Sequence, residues 1–187
     1  MKTMKVVIPG VLTTVQDLGR FGYQKFGMTC SGVMDTAAYR KANYLVGNEE
    51  GAAVLEMTLY GGSCRFEEDM VIALTGADMQ PTVNQKPIAM NQAVKVPAGG
   101  VLNLGMAKTG CRTYLAVAGG FEVPKVMGSY STNLKCGIGG HEGRALQMGD
   151  ELPIGEALHS WDEVKERKVS VPDYPKEVLV SVVPGPQ

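Results

Sequence analysis

Twenty-four glycines and 10 prolines fall as punctuation between short apolar runs. A backbone interrupted this often favours short strands joined by tight turns, the pattern of a β-rich barrel or sandwich. The runs are Met4–Ile8, Ala53–Thr58, Ser63–Phe66, Met70–Leu74, Ala93–Val96, Val101–Leu104, Arg112–Ala118, a short Leu152–Ile154 and a last Val178–Val183, closed by Pro184-Gly185-Pro186. In the strongest of them Tyr114, Ala116 and Ala118 point one way and Leu115 and Val117 the other. Pro81–Val83 and Lys86–Ile88 flank Asn84-Gln85, a plausible tight hairpin because Asn tolerates positive φ. One helix is expected, from about Asp35 to Val46. Asp35 serves as its N-cap, Met34, Ala38, Ala42 and Leu45 form an apolar stripe, and Gly47 ends it. That stripe is short of bulky residues, so the helix should lie close against its neighbours.

The 187 residues suit one domain with a real core, and 44% hydrophobic and 20% charged content are those of a globular protein. A formal charge of −1 provides no field for nucleic acid or an anionic membrane surface. No apolar run approaches a spanning helix, and Met1–Gly10 lacks the core of a secretion signal, so the cytoplasm is the expected location. Cys30, Cys64, Cys111 and Cys136 form no paired CxxC, and His141 and His159 have no partners at ligand spacing. Neither a disulfide framework nor a structural metal is expected. The 11 methionines suit irregular gaps in a core.

Three stretches resist this scheme. Thr13–Asp35, TTVQDLGRFGYQKFGMTCSGVMD, has little period, few large apolar residues, and Gly19, Gly22, Gly27 and Gly32. It reads as a long ordered loop presenting Gln16, Asp17, Arg20 and Asp35; alternatively, Asp17 and Arg20 knit the loop to itself. Val123–Leu146 reads as a second functional or gating loop, and His159–Lys168 as a polar surface excursion. A serine hydrolase is excluded by the lack of a base near a nucleophile elbow, and a P-loop by the lack of G-x-x-x-x-G-K-[ST]. The glycine-rich run Gly137–Arg144 could bind an oxyanion with Arg144, or be a turn with an exposed arginine.

The remaining polar set, Gln16, Asp17, Arg20, Asp35, Asn43, Asn48, Glu56, Thr75, Asp78, Tyr114, Ser129, Ser131, Thr132 and Arg144, suits a small amide substrate, which needs donors, acceptors and a cation for any carboxylate tail. Asp78 follows a strand and could instead make an Asx-turn. Glu56 must be paired if buried, or face outward. Asn43 and Asn48 are read first as satisfying backbone at the helix end, and Tyr114 as a core residue with a bonded hydroxyl.

The motifs TTVQDLGRFG and SGVMDTAAYRKANYLVGN, then LEMT at Leu55–Thr58, TGAD at Thr75–Asp78, YLAVAGGF at Tyr114–Phe121, GSYST at Gly128–Thr132 and GGHEGRALQMGD at Gly139–Asp150, run in order over nearly the whole chain. Together they resemble the family of the 5-oxoprolinase C component, also described as allophanate hydrolase subunit 2, urea-amidolyase-related, or the Kip-type antagonist of a kinase inhibitor. The resemblance implies a cyclophilin-like β-barrel over residues 1–177, with 178–187 as a strand and linker into a second half of similar size. Within the polar set, Asp17, Arg20 and Asp35 are expected to be catalytic, and Gln16, Asp78, Ser129, Ser131, Thr132 and Arg144 to bind substrate.

Three functions follow as expectations. The first is a subunit of an ATP-dependent 5-oxoprolinase, working with a subunit-B-like, kinase-inhibitor-like partner and a third hydrolase subunit, with ATP bound by or shared with the partner. The second is the carboxyltransferase module of a biotin-dependent urea carboxylase or allophanate hydrolase system; biotin is not attached to this chain, which has no biotinyl-acceptor sequence. The third is a non-enzymatic antagonist that binds the inhibitor of a histidine kinase. One departure stands out: the family usually has a basic residue where this chain has Tyr130.

Overall fold

The structure, a computed structural model, describes residues 2–171, 174–175 and 177–185. The chain runs β1 (Lys2–Ile8), β2 (Leu12–Gln16), α1 (Thr36–Val46), β3 (Val54–Thr58), β4 (Tyr60–Phe66), β5 (Met70–Asp78), β6 (Thr82–Val83), β7 (Lys86–Pro87), β8 (Ala93–Val96), β9 (Val101–Met106), β10 (Thr109–Val117), β11 (Glu151–Ile154) and α2 (Trp161–Val164). The strands pair antiparallel into a six-stranded sheet, β11-β1-β4-β9-β6-β7, and a five-stranded sheet, β2-β3-β10-β5-β8. The mainly β reading holds, with the ladders forming two sheets rather than one continuous ring among the described residues.

The alternation of β10 separates two cores. Leu115 and Val117 enter the larger cluster, with Met4, Phe66, Ile72 and Leu102. Tyr114, Ala116 and Ala118 turn to the other face, where Ala38, Tyr39, Ala42, Leu45 and Val46 of α1 lie on them. Small side chains on both partners permit the close approach, as the sequence predicts. Met34 is the exception in the expected stripe, since it lies before the helix and stands in solvent.

Both ends of α1 follow the sequence. Asp35 Oδ1 accepts the Ala38 amide at 2.9 Å, and Gly47 closes the helix at φ 76°. The hairpin at Asn84-Gln85 forms with both residues at positive φ. Asn43 and Asn48 satisfy backbone as expected: Asn43 donates to the Ala52 carbonyl, and Asn48 spans the Val117 carbonyl and the Gly119 amide.

Three expectations are corrected. Thr13–Asp35 is not loop from its first residue, because Thr13 to Gln16 belong to β2 and pair with Val54 to Met57 of β3. The alternation that marks a half-buried strand is missing because β2 is covered on both faces: Thr13, Thr14, Val15 and Gln16 are all buried. Residues 159–168 are not wholly a surface excursion. Ser160 and Glu163 form a capping box that starts α2, and Val164 is buried. The apolar run Val178–Val183 forms no strand among the described residues and stands in solvent, with Leu179 fully exposed. A strand requires a ladder partner, and none of the described strands pairs with this run. Pro186, the last residue of the expected Pro184-Gly185-Pro186 break, lies outside the described residues.

Candidate functional site

The first constellation is built on the outer edge of β2, which is also the edge of the five-stranded sheet. An uncovered edge leaves backbone groups unpaired. Here the long loop after Val123 covers it. Thr132 donates to the Val15 carbonyl through both its amide (3.0 Å) and its hydroxyl (2.9 Å), and the Leu146 amide donates to the Thr13 carbonyl at 2.9 Å. Gln16 Nε2 reaches the Thr132 carbonyl at 3.3 Å and Thr14 Oγ1 at 3.0 Å.

Just past the strand, Asp17 turns its buried carboxylate onto the same loop. Oδ1 accepts from Ser131 Oγ at 2.5 Å, Ser129 Oγ at 2.6 Å and the Gly19 amide at 2.8 Å, and Oδ2 accepts the Tyr130 amide at 2.7 Å. Arg20, 1% exposed, donates from Nη2 to the Ser131 carbonyl and from Nε to the Val126 carbonyl at 3.4 Å. Asp17 and Arg20 thus bind the second loop rather than each other. Gly139, at φ 70°, lies on this guanidinium: a Cβ there would overlap the Ser131 carbonyl and come within 2.6 Å of Arg20 Nη2. Arg20 Nη1 and Gln16 Oε1 are sealed without a partner among the described residues.

Of the expected site residues, Gln16, Asp17, Arg20, Ser129, Ser131 and Thr132 meet in this knot. Arg144 lies elsewhere on the second loop. Its guanidinium binds both oxygens of Asp150, Nη1 to Oδ2 at 2.7 Å and Nη2 to Oδ1 at 2.9 Å, and also Glu142 at 2.7 Å. The glycine-rich run therefore offers no free guanidinium for a phosphate. Arg144 hydrogen bonding holds the Asp150 carboxyl below its usual range, with help from the Gln147 amide and His141, against the opposing effect of burial.

Asp35 and Asp78 lie apart from this knot, Asp35 at the start of α1 and Asp78 at the end of β5. The Asp35 amide donates to Tyr114 Oη at 2.8 Å, and that phenol donates to Glu56 Oε2 at 2.8 Å. Glu56 also accepts the Met34 amide at 2.8 Å and stands 3.5 Å from Arg112 Nε, so it is paired, and Tyr114 is the bonded core phenol that the sequence suggests. Burial first, and then the Glu56 charge, pushes the Tyr114 phenol far above its ordinary range. Asp78 makes the Asx-turn, Oδ1 accepting the Gln80 amide at 2.8 Å. It also lines an open cavity of about 700 Å³ with Gly76, Asn91, Lys108, Thr109 and Tyr174. A smaller cavity of about 50 Å³, lined by Asp35, Lys41 and Thr75, adjoins it through Gly76 and Asn91. Burial, and then the nearby Asp35 carboxylate, raises the Tyr174 phenol.

Asn91 and Lys108 went unmarked in the sequence. Asn91 sits in Met-Asn-Gln ahead of a strand, and its left-handed φ of 60° is what a turn asparagine would have anyway. Nothing in the sequence tells which way its carboxamide faces. Among the described residues, no group of His, Cys, Asp and Glu gathers as a metal ligand set.

A family model described as "Carboxyltransferase domain, subdomain A and B" matches residues 26–187. The chain belongs to this carboxyltransferase-domain family. The domain is 46% identical over 188 residues to the C component of 5-oxoprolinase from Escherichia coli K12, an alignment covering 98% of this chain and 58% of that protein. It is 37% identical to urea amidolyase of Saccharomyces cerevisiae, over 97% of this chain and 10% of the relative. The solved Kluyveromyces lactis urea carboxylase superposes with TM-score 0.79 at 38% identity, covering 92% of this chain and 15% of that one. This carboxyltransferase domain thus spans a little over half the length of the 5-oxoprolinase relative it matches.

Proposed function

We propose that this domain works as part of an ATP-dependent 5-oxoprolinase, which opens the ring amide of 5-oxoproline to glutamate. The single observation that carries this reading is the 46% identity to a 5-oxoprolinase C component over 98% of the chain. In this reading the domain acts with a subunit-B-like partner and a third hydrolase subunit, in the cytoplasm, and is inactive alone. The nucleotide is bound by or shared with the partner in this reading, and the Arg144 guanidinium is paired with Asp150 and Glu142. Asp17, Arg20, Gln16, Ser129, Ser131 and Thr132 act as positioning residues that fix the rim, while Asp35 and Asp78 face the small amide. Full-length protein co-expressed with both partners is expected to hydrolyse ATP only when 5-oxoproline is present. Absence of 5-oxoproline-dependent turnover in the purified complex overturns the reading.

The family match and the likeness to urea carboxylase favour a second reading, the carboxyltransferase module of a biotin-dependent urea carboxylase, with biotin carried on another chain. The same assay with urea and allophanate separates the two, since carboxyl transfer would consume urea and leave 5-oxoproline untouched. A non-enzymatic antagonist of a kinase inhibitor would instead pair with the subunit-B-like protein and turn over none of the three.

A further inference from the structure

We propose that Asn91 is the recognition residue of a small-molecule site in the two adjoining cavities, the smaller of them against α1, and that its ligand is a cis amide, a lactam or a urea, gripped edge to edge by the side-chain carboxamide. This names the binding group for the amide chemistry proposed above and rests on that reading for its choice of probes.

The residue is unusual in how its hydrogen bonds are distributed. Its backbone is fully engaged: the amide donates to the Leu74 carbonyl at 2.8 Å, and its carbonyl accepts the Val169 amide at 3.0 Å. The main chain is therefore pinned to β5 on one side and to the segment after α2 on the other. The residue is only 6% exposed, yet Oδ1 is buried without a hydrogen-bond partner among the described residues. A buried polar group with no partner carries a desolvation cost and is uncommon in a folded protein. No hydrogen bond to a described residue holds Oδ1, the terminal torsion of the carboxamide is soft, and the residue lines both cavities.

The chemistry of the carboxamide selects the ligand. It carries one acceptor and a donor side by side. A trans secondary amide presents its N–H and C=O on opposite edges and can meet only one of them. A small-ring lactam, like a urea, presents both on one edge and meets both at once. The larger cavity, at about 700 Å³, is in the range of small-molecule sites. Its wall carries Lys108 and Thr109, a cation and a hydroxyl suited to a carboxylate on the ligand, beside the acidic Asp78, whose carbonyl accepts the Lys108 amide at 2.8 Å. Asp35 and Lys41 line the smaller cavity, where Lys41 Nζ contacts Ser170.

The test is an NMR titration of the full-length protein with 2-pyrrolidone, 5-oxoproline, urea and N-methyl-2-pyrrolidone. The N–H lactams are expected to shift resonances around Asn91 and Gly76, and the N-methylated lactam to bind at least about tenfold more weakly, because it cannot donate. Asn91→Gly keeps the left-handed backbone and should weaken the N–H lactams about tenfold. Lys108→Gln should bring the affinity for 5-oxoproline down toward that for 2-pyrrolidone and leave the latter unchanged. Equal binding of the N-methylated lactam, unchanged binding in Asn91→Gly, or no binding of any lactam or urea overturns the assignment. If the assembled complex hydrolyses ATP with 5-oxoproline while Asn91→Gly leaves its KM unchanged, this assignment fails and the functional reading stands. If the domain binds lactams through Asn91 but the complex turns over nothing, the functional reading fails and this one stands.

Discussion

The Ser131 hydroxyl donates to the Asp17 carboxylate at 2.5 Å, across 114 positions of sequence. The same serine oxygen accepts the Asp17 amide at 3.0 Å, so the two residues are joined in both directions. Two glycine-rich loops that look independent in the sequence are thereby one body.

Removing the carboxylate should expose the cost of that union. Asp17→Ala leaves the Ser129 and Ser131 hydroxyls and the Gly19 and Tyr130 amides short of an acceptor. A loss of about 3 kcal/mol in urea unfolding is expected. Asp17→Asn, which retains one acceptor oxygen, should lose less, about 2 kcal/mol. In a double-mutant cycle with Ser131→Ala the losses should fall short of additive, since both variants break the same contact.

Gly139→Ala tests the roof over Arg20. The substitution places a methyl against the Ser131 carbonyl and the guanidinium in a left-handed backbone, so destabilisation of about 2 kcal/mol is expected. Gly137→Ala, also at positive φ but with open space around its Cβ, should cost less, about 1 kcal/mol. Equal losses would show that backbone strain alone, and not contact with Arg20, is being measured.

Tyr114→Phe should loosen the start of α1. It strips the Asp35 amide of its acceptor and Glu56 of a donor, at an expected cost of about 1.5 kcal/mol in urea unfolding. Helix packing is kept, because the ring remains against the alanines of α1.

Acid should act through Asp150. Its pKa is depressed in the folded chain, so its contribution is present above the unfolded carboxylate value, about 4, and is lost as pH falls through the depressed folded value. Arg144→Gln should therefore cost about 2 kcal/mol at neutral pH, and the difference from the unsubstituted protein should shrink progressively below about pH 4. Unfolding midpoints measured from about pH 7 to about pH 2 read this directly. A gap that stays constant with pH would contradict the ion pair.

The strands and the main helix were legible because their signals are local. Asp35 caps α1 and Gly47 closes it for reasons contained within a few residues, and the alternation around Tyr114 names both faces of β10. The strand Leu12–Gln16 was hidden because burial on both faces erases alternation, and its outer edge is covered by Thr132 and Leu146 from far along the chain. The partner of Asp17 was hidden in the same way: Arg20 is near in sequence, yet the serines win because they come with the loop that seals the edge. Asn91 carries no sequence mark at all. Its interest lies in an oxygen left unbonded, which only the folded arrangement reveals.

The rigid union of the two loops is read most directly by native-state hydrogen exchange at the Tyr130 amide, which donates to Asp17 Oδ2 and belongs to no strand. The expected result is protection approaching that of the β10 amides, lost in Asp17→Asn while the β10 amides keep theirs. Exchange of Tyr130 in the unsubstituted protein as fast as in an open loop would contradict it.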